Sequence, residues 1–388
     1  MRQYLFTILL TGALALVLSW GVWQLSMRYK LYPGIRERDV HQTPTPRLGG
    51  IAIYLAIVLA ALATAANPYF AILWADPAPI LSVLVAATLI VAVGAADDVW
   101  DLDWFLKLGV QFIAAGIITI GGGLQILSVP FGGVWIGSSW LSIVVTMIII
   151  VTVMNAVNFI DGLDGLVAGT GLIAGGVFFA YTYLLVRDTG STGNFSLASL
   201  LTALVIGGCA GFLPLNWRPA KLFMGDSGAL LLGLLLGTGT VAITGQITPE
   251  MLDPEVFGRS QLVGAFLPVI LLPVIVVVLP LTDFLLAVVR RMGAGRSPFS
   301  PDRKHLHHRM LDLGHSDRDA VIVFYAWTAV ISLSVLLMYI AVREDWPGSY
   351  WLGIAFGAVG VVACLIVTVI PSTAARRARR SRALEARP

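Results

Sequence analysis

The sequence predicts an all-α, polytopic membrane protein, and three observations support that class. Of its 388 residues, 57% are hydrophobic and 12% charged, with a mean hydropathy of +0.86, too apolar for a soluble chain of this size. Apolar runs of about 17 to 25 residues, long enough to cross a bilayer, recur from end to end. Lys and Arg gather on alternate connections, the asymmetry that orients membrane proteins.

In order, the apolar runs are 3–26, 50–66, 78–96, 105–121, 139–157, 165–186, 196–216, 227–245, 262–289, 319–342 and 349–370, which predicts about eleven transmembrane helices. No small-residue cleavage site follows the first run and a basic loop does, so it reads as a retained span. Residues 126–140, ILSVPFGGVWIGSSW, read as a short hairpin or turn. The ninth run holds Pro268, Pro273 and Pro280, each lacking a backbone donor, so it reads either as a broken helix that opens a groove toward lipid or as a well-packed span with ordinary proline kinks. Cys209 and Cys364 lie inside apolar runs and act as small hydrophobes, not as a disulfide framework.

An odd number of spans puts the termini on opposite sides. All 25 Lys and Arg except Arg2, Arg187, Arg259 and Arg343 fall on one side, which places the N-terminus outside and the C-terminus in the cytoplasm. Residues 1–370 then form a single polytopic domain. Residues 371–388 form a basic tail suited to anionic lipid headgroups. The bilayer is the expected partner, no nucleic acid is expected, and the sequence does not argue for or against a membrane homodimer. The cytoplasmic connections, 27–49, 97–104, 158–164, 217–226 and 290–318, hold nearly every unusual polar residue, so the chemistry belongs to one face.

Five constellations lie there. MNAVNFIDGLDGL, residues 154–166, sets Asn155, Asn158, Asp161 and Asp164 at steps of three. Such a row drifts around a helix instead of keeping to one face. It therefore predicts a helix end breaking into a tight turn, with Gly162 and Gly165 supplying the conformational freedom, as a polar bowl at the mouth of a span. AADDVWDLDWFLK carries Asp97, Asp98, Asp101 and Asp103, whose mutual repulsion calls for a divalent metal or another cation such as Lys107. In LNWRPAKLFMGDSGALLLG, residues 215–233, Asp226 suits a helix N-cap as well as it suits a Mg²⁺ ligand.

PDRKHLHHRM, residues 301–310, places His305, His307 and His308 among Arg303, Lys304 and Arg309. Those cations fit an anion such as a diphosphate better than they fit zinc. HQTPTPRLGG, residues 41–50, brings Arg47 and two glycines to a span entrance. Carboxylates for a metal, cations for phosphate and amides for hydrogen bonds, without a Walker A, Rossmann or G-x-S-x-G sequence, fit phosphoryl transfer at the membrane surface. The competing class, an ion-coupled transporter, would place its carboxylates near the bilayer midplane between internal repeats, and no repeat is visible.

DDVWD (Asp97–Asp101), NAVNFIDGLDGL (Asn155–Leu166), NWRPAKLFMGDSG (Asn216–Gly228) and DRKHLHH (Asp302–His308) resemble, in the same order, the signature loops of the polyprenyl-phosphate N-acetylhexosamine-1-phosphate transferases of glycosyltransferase family 4. The H-x-H-H form is more similar to the bacterial undecaprenyl- or decaprenyl-phosphate GlcNAc-1-phosphate transferases. The phospho-MurNAc-pentapeptide transferases, the alternative within the family, have three adjacent histidines where Leu306 interrupts the run here. The resemblance implies transfer of GlcNAc-1-phosphate from UDP-GlcNAc to an undecaprenyl or decaprenyl phosphate with release of UMP, at the cytoplasmic face of a bacterial cell membrane, as the first membrane step of an envelope glycopolymer.

The resemblance implies Mg²⁺, with Mn²⁺ as the alternative, on Asp226 and Asp97. It implies Asp97, Asp98, Asp161, Asp226 and His308 as catalytic residues, with Asp98 positioning the lipid phosphate and Lys107 holding it. It also implies Asn158, Asp161, Asp164 and Asn216 facing the nucleotide, Asn155 among the substrate-binding residues, and Arg303, His305, His307 and His308 on the diphosphate and sugar. The family's uracil-contacting lysine has no counterpart in the first loop, where Arg47 is the candidate replacement.

Overall fold

The computed structural model describes residues 1–32, 45–126, 138–189, 194–244, 292, 293, 310, 315–344, 346 and 350–369. The Pro-containing ninth run, Arg303, His305, His307 and His308, residues 127–137 of the hairpin or turn expected over 126–140, and the basic tail lie outside the described residues; Ser139 and Trp140 of that stretch belong to a helix.

The chain folds as α1 (Arg2–Tyr29), α2 (Gly49–Ala63), a short α3 (Ala71–Ala75), α4 (Ala78–Trp100), α5 (Trp104–Gly116), α6 (Ser139–Phe159), α7 (Leu166–Thr189), α8 (Asn194–Asn216), α9 (Gly225–Thr244), α10 (Asp317–Arg343) and α11 (Tyr350–Val369). There is no strand among the described residues. Among the described residues, ten helices are long and apolar enough to cross a membrane, and they coincide with ten of the apolar runs of the sequence.

Burial sorts the helices by their place in the bundle. In α9, 94% of the membrane-length window is buried, against 11% in α11. α9 is apolar all round and forms the axis of the bundle, with α2, α4, α6 and α8 packed along it. α1 lies on α8, and the α10–α11 pair attaches through α7.

Local chemistry explains where the helices stop. α4 ends where Asp101 takes a left-handed conformation, φ 56°, and its N–H donates to the Asp97 carbonyl at 2.9 Å. The Asp103 carboxylate then accepts from the Phe105 N–H at 2.8 Å and caps α5. The sequence's cluster of four aspartates therefore divides: Asp101 and Asp103 end one helix and start the next, and Asp97 and Asp98 remain for the site. As the step-of-three pattern requires, α6 stops at Phe159, the chain turns tightly through 160–165, and α7 starts at Leu166.

Candidate active site

The bundle brings the ends of α4, α5, α6 and α9 together. Lys107, from the first turn of α5, donates to Asp97 Oδ2 at 2.9 Å and to Asp226 Oδ2 at 3.4 Å. Asp97 is nearly buried, with a side chain 9% exposed, and Asp226 is more open at 31%. Asn158, in the last turn of α6, donates its amide to Asp226 Oδ1 at 3.0 Å. Two carboxylates from helices far apart in sequence thus converge on one cationic position, and Asn158 orients the more open of them.

Asp226 escapes the capping role that its sequence position suggests because another helix supplies the cap. Asp98 of α4 accepts from the Asp226 N–H at 3.0 Å, the Ser227 N–H at 3.4 Å and the Ser227 hydroxyl at 3.1 Å. An acid at the positive end of a helix is favourable there, and it leaves the Asp226 side chain free for the site. Gly225 makes the approach possible: its φ is +71°, and a Cβ on it would lie 2.3 Å from the Arg47 carbonyl and 2.4 Å from Asp98 Oδ2. The segment that carries Arg47 is stitched to the same loop, with the Phe223 N–H donating to Pro46 O and the Gly49 and Gly50 N–H groups donating to Phe223 O and Met224 O.

Asp161 stands beside this centre in the turn. Part of the residue reaches solvent, but its carboxyl is withdrawn from water and pushed up to about 8, first by burial and then by the neighbouring carboxylates of Asp226 and Asp98. Arg47 is the cation that opposes the shift, and Asp164 adds to it.

The remaining bowl residues face other partners. Asp164, 8% exposed, accepts from the Ala220 N–H at 3.1 Å. Asn216, 4% exposed, accepts from the Gly165 N–H and donates to the Leu222 carbonyl, both at 3.0 Å, so its amide ties the turn to the loop before α9. Asn155 turns into the α5–α6 seam and donates to Gln111 at 2.5 Å and to the Val151 carbonyl at 2.8 Å. The sequence reading missed Gln111, Ser227 and Gly225. The first had a signal, an amide in an apolar run four residues after Lys107 and so on the same helical face.

The donor set suits Mg²⁺. Among the described residues no group of three or more His, Cys, Asp or Glu forms a metal cage. Mg²⁺, however, keeps most of its waters and takes one or two carboxylates plus substrate phosphates. Asp97 and Asp226, already sharing one cation, offer that pair.

Comparison with known proteins agrees with this geometry. The family model of glycosyl transferase family 4 matches residues 80–245, the span from α4 to α9 that carries the site. The chain is 39% identical to the decaprenyl-phosphate N-acetylglucosaminephosphotransferase of Mycolicibacterium smegmatis, over 93% of this chain and 87% of that protein. It is 31% identical to a probable undecaprenyl-phosphate N-acetylglucosaminyl 1-phosphate transferase of Bacillus subtilis, over 78% and 75%. It is also 29% identical to a phospho-N-acetylmuramoyl-pentapeptide-transferase of Shouchella clausii, over 87% and 97%. With three of the ordered motifs meeting at one centre among the described residues and relatives matched over most of their length, the chain belongs to glycosyl transferase family 4.

Proposed function

We propose that the protein transfers GlcNAc-1-phosphate from UDP-GlcNAc to a polyprenyl phosphate, decaprenyl or undecaprenyl, forming polyprenyl-diphospho-GlcNAc and UMP. The observation that carries this reading is the convergence of Asp97 and Asp226 on the Lys107 ammonium beside Asn158 and Asp161. The site would open on the cytoplasmic face of a bacterial membrane, the side on which the Lys and Arg residues gather.

An oxygen of the lipid phosphate bonds to the sugar-bearing phosphorus as the bond from that phosphorus to the bridging oxygen breaks, and UMP leaves with the electron pair. A phosphate monoester has a second pKa near ~6, so the lipid phosphate needs little deprotonation at neutral pH. The task of the protein is to position groups and neutralise charge. Lys107 has three donors and spends two on the carboxylates, which leaves one for a phosphate oxygen. Asp97 and Asp226 would hold Mg²⁺, which supplies the positive charge that stabilises the diphosphate and the departing UMP. Asn158 fixes the direction of Asp226, and Asp98 fixes the helix that carries it.

The experiment is UMP release from UDP-GlcNAc by purified protein, with and without decaprenyl phosphate, in Mg²⁺ and in EDTA. Release that requires both lipid and metal is expected. Turnover only with UDP-MurNAc-pentapeptide would move the chain to the sister activity, and no release from either donor by folded protein would overturn the reading.

A further inference from the structure

We infer that Tyr325, on α10, is a positioning residue for the transfer: its hydroxyl donates to the Gly165 carbonyl and fixes the turn that carries Asp161 and Asp164. The inference rests on the transferase reading for its kinetic consequence and on geometry alone for the tether itself.

The Gly165 peptide is gripped from both sides. Its N–H donates to Asn216 Oδ1 at 3.0 Å, and its carbonyl accepts from the Tyr325 hydroxyl at 2.5 Å. That carbonyl already accepts the helical bond from the Gly169 N–H at 2.9 Å. The helix therefore does not need Tyr325 to satisfy the group, and the tyrosine bond is an added tether on the second lone pair. Space has been made for it: a Cβ on Gly169 would lie 2.0 Å from the Tyr325 oxygen.

Two further contacts hold α10 in register. The Trp217 and Tyr325 rings lie 6.3 Å apart, and Arg218 pairs with Asp317 in the first turn of α10. Trp217 and Arg218 directly follow Asn216, and Asp164 accepts from Ala220 just beyond, so α10, the 217–220 segment and the acid turn are joined at several points. Asp161 lies in this turn, before the clamped Gly165, and faces Asp226 and Asp98. In sequence, α10 begins shortly after His308. The helix that follows the histidine motif therefore also anchors the turn that carries the acids.

The test compares wild type with Tyr325→Phe, which removes only the hydroxyl, and with Gly169→Ala, which pushes the ring away from Gly165. Hydrogen exchange on substrate-free protein should rise about fivefold across residues 160–166 in both variants while α9 exchanges as in wild type. In UMP-release kinetics, kcat should fall about tenfold, with KM for polyprenyl phosphate unchanged and, for Tyr325→Phe, a Tm within about 3 °C of wild type. If Tyr325→Phe leaves either the exchange of the turn or kcat unaltered, or if kcat falls only in step with the folded fraction, Tyr325 is a packing residue and the inference is overturned. The exchange arm needs no substrate, so failure of the transferase reading would show separately, as wild-type protein that releases no UMP.

Discussion

At the scale of single residues, the site divides its acids by what each carboxylate touches. Asp226 shares a cation with Asp97, and it is the residue whose charge the proposed reaction uses directly. Asp226→Asn should keep the amide that Asp98 caps and the oxygen that Asn158 addresses, yet lower kcat for UMP release at least about a hundredfold, the loss expected when several kcal/mol of charge stabilisation disappear. Near-normal turnover in Mg²⁺ would remove it as the metal ligand. Asp161 gives the site a pH dependence. With its carboxyl held up to about 8, the metal-free folded protein keeps a proton that the unfolded chain releases in the ordinary carboxylate range. The contribution of Asp161 to stability therefore falls as pH rises between those two values. A cation bound nearby favours the ionised form, so by linkage the apparent Mg²⁺ affinity should rise from about pH 6.5 to about pH 8.5. Calorimetric titration with Mg²⁺ would check this, and a flat profile would show that Asp161 does not sense the metal.

At the scale of elements, the helices place these residues through polar contacts between neighbours. The Asn155–Gln111 bond braces α6 against α5 one turn below Asn158 and Lys107. Gln111→Leu would leave the Asn155 amide with only its bond to the Val151 carbonyl, with an expected loss of about 1 kcal/mol in stability and a severalfold drop in turnover. Adding Asn155→Leu should recover most of the stability, as a double-mutant cycle would measure. Additive losses would mean that the two amides do not act as a pair. This level also shows what the sequence could reveal. Long apolar runs announce spans because length and hydropathy are local properties, and the step-of-three row in 155–164 announced its own break because its spacing fits no helical face. The aspartates at 97–103 could not be sorted, because ending a helix at Asp101, capping one at Asp103 and pairing with Lys107 at Asp97 look alike until the chain direction at the helix end is known. Asp98 was harder still. Its partners are two backbone N–H groups and the Ser227 hydroxyl of α9, and no side-chain pattern records a backbone donor 128 residues away.

For the whole molecule, the consequence of the arrangement is sidedness. α4 is long enough to cross the bilayer, at ~1.5 Å per residue, with Asp76 just before one end and Trp100 at the other. Both positions are exposed, while Cys209 and Cys364 are buried. In intact cells a membrane-impermeant thiol reagent should label Asp76→Cys and spare Trp100→Cys, and permeabilisation should reverse the protection of Trp100→Cys. The opposite pattern would turn the site away from the cytoplasm. The borrowed cap on α9 also has a consequence in time. Asp98 is synthesised long before the groups that donate to it. A chain released before Gly225 therefore exposes an acid at the membrane boundary with no donors from α9. Capture of the first turn of α9 removes that defect and sets the Asp226 carboxylate in place in the same event. A product that ends before Gly225 lacks the Asp226 carboxylate and leaves the Asp98 carboxyl without its α9 donors, so the contact that caps α9 also completes the pair of carboxylates at the site.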